Sequence, residues 1–174
     1  MRKKIDDHTY VQCVTKTLTC IEQEEYESIQ RAAEAAYVSM RSGGLLHVFA
    51  TGHSHMIMEE MFYRSGGLLP VNPIFVPPLM LHEGAITSTK MERIPGKARE
   101  ILSATGLRAG ETILISSNSG INSVPVEAAL YAKELGLTVV GITSVTASPG
   151  LEPRNESQKH LFEVCDIVID NHAP

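Results

Sequence analysis

The stretch that decides the fold is Thr112–Glu127, TILISSNSGINSVPVE. Ile113, Leu114 and Ile115 form an apolar run of strand length, and an amphipathic helical pattern opens at Val124. Between them stand Ser116, Ser117, Asn118, Ser119, Gly120, Asn122 and Ser123. A buried strand that enters a helix through such a turn gathers backbone N–H groups at the positive helix end and sets side-chain donors beside them. That chemistry suits an anion, a phosphate above all. The plainer alternative is a loop in which Asn122 or Ser123 only caps the helix. A cap needs one side chain, and this turn offers several.

Working outward, the same arrangement occurs earlier. Leu45–Thr51, LLHVFAT, is a continuous apolar run; it meets Gly52-His53-Ser54-His55 and then a helical pattern from Met56 to Ser65, stopped by Gly66-Gly67. On that helix Glu60 and Arg64 have the spacing and order of an ion pair. Val71–Val76 reads as a short strand that Pro73 confines to an edge. Leu79–Thr89, LMLHEGAITST, has no period and reads as a surface loop; a helix follows from near Pro95 to Ala104. Beyond the central stretch the helix runs to Leu135, Leu137–Thr143 is a strand, Gln158–Glu163 a helical turn, and Val164–Asp170 the last strand. Residues 8–41 read as two helices broken at Gln23-Glu24, an arm that caps the sheet or docks on another subunit. Strands alternating with helices imply a parallel sheet covered on both faces, with ligands at the carboxyl ends of the strands. Both polar turns lie at those ends and are expected to form one site.

Composition bounds the rest. With 174 residues, the chain is expected to form one domain over 1–174, a helical arm at about 8–41 and a sheet domain at about 45–174. A net charge of −5 without a basic stripe argues against nucleic acid, and nothing has the length of a membrane span. Arg2-Lys3-Lys4 is too short for a polybasic anchor, and no apolar signal segment follows it. Cys13, Cys20 and Cys165 lack metal spacing and suit a reducing cytoplasm, the expected location.

Taken together, ATGHSHMIMEEMFYRSGGL, LMLHEGA, ISSNSGINSVPVE and CDIVIDNHAP resemble the SIS (sugar isomerase) domain superfamily, in a bacterial branch often labelled phosphoheptose isomerase. The resemblance covers roughly residues 8–174. It implies a three-layer α/β/α sandwich with a five-stranded parallel sheet, a phosphorylated sugar as ligand, and a homodimer or homotetramer. By position it implies that Gly52, Ser54, Ser117 and Ser119 contact phosphate or sugar oxygens, with Gly120 allowing close backbone approach. The family's second Ser or Thr of the later loop falls on Asn122, with Ser123 beside it as the alternative donor. Phosphoheptose isomerases carry a catalytic histidine on a helix after the last strand, whereas this chain stops at Asp170-Asn171-His172-Ala173-Pro174, which looks like truncation. Their QHxAAE-type stretch is replaced by MIMEEM.

An aldose–ketose isomerase needs a base to move a proton between adjacent carbons through an enediol, and an acid to serve the oxygens. The expected base is Glu83, beside His82; His55 is the further acid–base candidate, its pKa lowered at a helix start. Glu59 and Glu60 read as helix-surface carboxylates, and Glu127 as a charge that favours the helix start. His53, His55, His82 and Glu83 are weighed as a metal set, but no cysteine or helical pair supports one, and no metal or other cofactor is expected. Neither a dinucleotide fingerprint nor a P-loop is present. Two other functions remain open for these loops: a non-catalytic phosphosugar sensor, and a lyase or etherase acting on an amino-sugar phosphate.

Overall fold

The computed structural model describes residues 9–174, so the Arg2-Lys3-Lys4 opening lies outside the described residues. Helices α1 (Thr9–Glu24) and α2 (Tyr26–Arg41) are separated at Glu25, one residue past the expected break. The sheet strands are β1 (Leu46–Ala50), β2 (Val71–Pro73), β3 (Thr112–Ser116), β4 (Thr138–Thr143) and β5 (Ile167–Asp170). The other helices are α3 (Met56–Met61), α4 (Ala85–Met91), α5 (Lys97–Ser103), α6 (Ser123–Glu134) and α7 (Leu161–Val164). The strands form one parallel sheet in the order β2-β1-β3-β4-β5. This is the expected α/β fold with a five-stranded parallel sheet, and β2, with Pro73 in it, is indeed an edge.

Alternation along the strands divides the core into two. Leu46, Val48 and Ala50 of β1 face Ala36, Met40 and Met58, which places α2 and α3 over one face. Phe49, Ile113, Ile115 and Val139 face the other way, against Ala98, Leu102, Ala128, Ala132 and Leu161 of α5, α6 and α7. The sandwich therefore has three layers. Of the N-terminal arm, α2 caps the sheet, with Thr112 donating its hydroxyl to the Ala35 carbonyl at 2.9 Å. Helix α1 buries none of its residues and leaves Tyr10, Val11 and Leu18 exposed.

Two expectations need correction. The helix after β1 ends at Met61 rather than Ser65, because Phe62 is extended and Tyr63 has φ +49°. Phe62 leaves the helix to meet Phe75 edge-on at 5.8 Å, although Glu60 and Arg64 still pair. The segment expected as loop, Leu79–Thr89, carries α4. Its positions do not show an apolar stripe because the helix is held by a polar contact: buried Ser88 donates to the Leu79 carbonyl at 2.7 Å.

Candidate functional site

The strand-end turns meet. A cavity of about 300 Å³ opens at the carboxyl ends of β1 and β3 and is lined by Thr51, Gly52, His53 and Ser54 from the first turn. Ser117, Asn118, Ser119 and Asn122 line it from the second, and Leu81, Ser88, Thr89 and Glu92 from the α4 segment. Larger hollows lie elsewhere, one of about 390 Å³ walled by Phe62, Leu68 and Leu69, but none of them gathers so many oxygens. Hydroxyls converge there at the strand ends, where open parallel sheets place their ligands.

The first turn is a 3-10 helix, Gly52–His55, entered through Gly52 at φ +56°. That conformation explains the glycine: a side chain there would meet nothing within 4 Å, so the constraint is backbone, not space. Ser54 faces the cavity half-buried. His55 does not line the cavity. It is buried beneath the turn with Nδ1 3.0 Å from the Gly52 carbonyl, and its Nε2 has no partner. Burial is the main cause that lowers its pKa, against the opposing pull of the Gly52 carbonyl and Glu59. The expected direction holds, but its cause is desolvation rather than a helix dipole.

In the second turn Ser117 lies buried with its hydroxyl receiving the Gly120 N–H at 3.3 Å. Ser119 is half-buried, and its carbonyl accepts from the Ser148 hydroxyl at 2.6 Å. Gly120 stands outside the lining. Its φ is +60°, and an added Cβ would stand 2.8 Å from the Thr143 hydroxyl and 3.1 Å from Leu161 Cβ. The absence of a side chain here lets the turn pack onto β4 and α7. Ser123 is also withdrawn: it is buried and donates its hydroxyl to the Arg154 carbonyl at 2.9 Å. Asn122 faces the cavity, makes no side-chain cap, and keeps a buried Oδ1 without a partner. A buried amide oxygen left unpaired is costly to the fold.

Helix α6 offers fewer backbone donors than its polar approach promises. Pro125 has no N–H, and the Val124 N–H goes to the Glu92 carbonyl at 3.0 Å. His82 and Glu83 are exposed, 3.8 Å from each other, and do not line the cavity, although Leu81 beside them does. Among the described residues no group of three His, Cys, Asp or Glu side chains is placed to hold a metal ion.

Sequence reasoning missed Thr51 and Glu92. Thr51 donates its hydroxyl to Glu92 Oε2 at 2.7 Å, and Glu92 is the one acidic side chain in the lining among the described residues. The available signal was the four-residue spacing of Ser88 and Glu92, which share a helix face once α4 is recognised. Glu127, read as a helix-start charge, accepts the Gly96 N–H at 2.8 Å and ties the start of α5 to α6; burial raises its pKa.

A parallel sheet between two helical layers, with two serine-bearing turns closing on one cleft at the strand ends, defines a class of three-layer α/β domain. Residues 9–144 match the SIS domain, and the chain belongs to that family. It is 42% identical over 165 residues to a UPF0309 protein of Halalkalibacterium halodurans, covering 95% of this chain and 66% of that relative. The chain thus spans about two thirds of the length of the relative it matches. Among solved structures, a phosphoheptose isomerase from Francisella tularensis superposes with a TM-score of 0.68 at 17% identity, over 95% of this chain and 83% of that one. A phosphoheptose isomerase from Neisseria gonorrhoeae gives a TM-score of 0.64 at 16% identity, again over 95% of this chain and 83% of the other. These two likenesses show the fold.

Proposed function

We propose that the cavity binds a phosphorylated sugar and that the protein interconverts aldose and ketose phosphates through an enediol. The observation that carries the reading is the meeting of Ser54 with Ser117 and Ser119 around one oxygen-lined cavity at the strand ends. Neutral hydroxyls and turn amides hold a phosphate reversibly, and an orphaned Asn122 oxygen adds an acceptor for a sugar hydroxyl. Membership of the SIS family, and a fold shared with two phosphoheptose isomerases, support the same reading. A cytoplasmic homo-oligomer fits the free cysteines and the bare apolar side of α1.

Thermal-shift titration with a panel of sugar phosphates, each matched by its unphosphorylated sugar, tests the binding step. A rise in melting temperature restricted to phosphorylated members is expected. Equal or absent shifts across the panel reject the reading. Following aldose and ketose phosphates by NMR then tests turnover, and binding without interconversion of any member would leave a sensor.

A further inference from the structure

We propose that Glu92 is the catalytic base, the carboxylate that removes and returns the substrate's carbon-bound proton. This rests on the phosphosugar reading and names the group within it that does the chemistry. Glu92 is the only acidic side chain lining the cavity among the described residues. Its placement is fixed from three sides. Oε2 takes the Thr51 hydroxyl at 2.7 Å, the backbone N–H bonds the Ser88 carbonyl at 3.0 Å, and the backbone carbonyl takes the Val124 N–H at 3.0 Å. A base held by neighbours from the turn after β1, from α4 and from α6 is preorganised, as proton transfer from carbon requires. Of the other acid–base side chains, His53 lines the cavity but is exposed, and the remaining ones stand elsewhere. Glu83 is 53% and His82 64% exposed, outside the lining, and His55 lies under the turn.

Charge also sets the substrate's direction. A carboxylate repels a phosphate, so the phosphate belongs at Ser117 and Ser119 and the carbonyl end at Glu92. Starting from an open-chain aldose phosphate, Glu92 takes the proton on C2, the C–H electron pair becomes the C1–C2 double bond, and the carbonyl pair moves onto O1, which takes a proton from water. In the second half the O2 hydroxyl releases its proton to water and C2 becomes the carbonyl, while Glu92 delivers its proton to C1. Nothing is oxidised or reduced overall, and the carboxylate ends as it began.

A carboxylate that only anchors Thr51 would be replaced without loss by glutamine, which keeps the size and can still accept the threonine hydroxyl. The experiment incubates the chain with the sugar-phosphate panel in D₂O and reads carbon-bound deuterium by NMR. The thermal shift with the same compounds is measured in parallel. Wild type is expected to exchange a carbon-bound proton. Glu92→Gln is expected to slow that exchange by about 100-fold or more while the ligand-induced shift persists. Glu92→Asp, which keeps the charge and withdraws it by one methylene, is expected to lose exchange likewise and serves if the glutamine variant does not fold. Exchange in Glu92→Gln within a few-fold of wild type overturns the assignment, as does loss of exchange in Glu83→Gln alone. Wild type that binds without exchange overturns the assignment and leaves binding standing. Absence of any ligand-induced shift overturns the binding reading, and the assignment falls with it.

Discussion

His47 Nε2 lies 2.8 Å from Glu111 Oε2 with both side chains buried, at the opposite end of the sheet from the cavity. On the other side of the ring, Nδ1 is 2.9 Å from Asn72 Nδ2, so one imidazole joins β1 to β2 and to the residue that begins the approach to β3. Glu111 also takes the Leu45 N–H at 3.2 Å, the Arg108 N–H at 2.9 Å and the Arg108 guanidinium at 2.7 Å. A buried carboxylate with this many donors organises the lower edge of the sheet, and removing one partner strands the others.

Stability is therefore expected to depend on pH through Glu111. Burial alone would raise its pKa, but hydrogen bonds from His47 and Arg108 outweigh burial and hold the carboxyl at about 2, below its ordinary 4.5. A depressed folded pKa means that the stabilisation is complete above about pH 4.5 and disappears as the pH falls toward about 2. Its size is about 3 kcal/mol by linkage. Urea unfolding at a series of pH values is expected to show this acid limb in wild type. In Glu111→Gln the limb should be shallower, and stability at neutral pH lower by about 3 kcal/mol. Parallel acid limbs in the two proteins would contradict it.

Two turn glycines separate backbone strain from crowding. Gly52 and Gly120 have nearly the same φ, +56° and +60°, but only Gly120 has neighbours where a Cβ would go. Gly52→Ala is expected to cost about 1 kcal/mol, the strain of a left-handed alanine. Gly120→Ala adds a clash with Thr143 and Leu161 and is expected to cost about 3 kcal/mol. Equilibrium unfolding of both variants checks the ordering, and equal losses would show that the turn at Gly120 relaxes.

Much of this fold was legible because its periods are unmixed. LLHVFAT and LTVVGIT are apolar runs bounded by glycine or hydroxyl residues, and each became a parallel strand within a residue or two of the expected limits. Convergence of Ser54 with Ser119 was also readable, since both follow strands that proved adjacent in a parallel sheet. What was not readable depends on contacts between distant segments. Helix α4 carries few apolar residues and is held by Ser88 on Leu79, so no stripe announced it, and Glu92 at its end stayed hidden. Ser123 and Gly120 were read from residue type alone. Only the path of the 143–161 segment shows that Arg154, Thr143 and Leu161 already occupy them.

Two of the three cysteines are expected to react in a fixed order. Cys13 is exposed on α1, whereas Cys165 is packed near Gly141, and burial with Asp166 close by raises its thiol to about 12. Because the thiolate is the reacting species, Cys165 should remain unmodified under native conditions that alkylate Cys13 completely. Mass spectrometry of peptides after iodoacetamide treatment, with and without urea, reads this directly. Native labelling of Cys165 at the rate of Cys13 would show that the β4–α7 packing opens.

Asn122 sets binding against stability. Its Oδ1 is buried without a partner and its side chain caps nothing, so the apo protein gains little from the amide. Leucine at this position has the same branching and number of side-chain heavy atoms and removes the orphaned oxygen, while φ −79° and ψ 156° are open to any residue. Asn122→Leu is therefore expected to leave apo stability unchanged or raise it by about 1 kcal/mol. Affinity for a sugar phosphate should fall about tenfold or more, as a lost hydrogen bond in a desolvated site implies. Calorimetric titration beside a thermal melt measures both. A variant that binds as wild type does would show that the ligand never reaches Asn122, and a variant that melts well below wild type would show that the amide serves the fold after all.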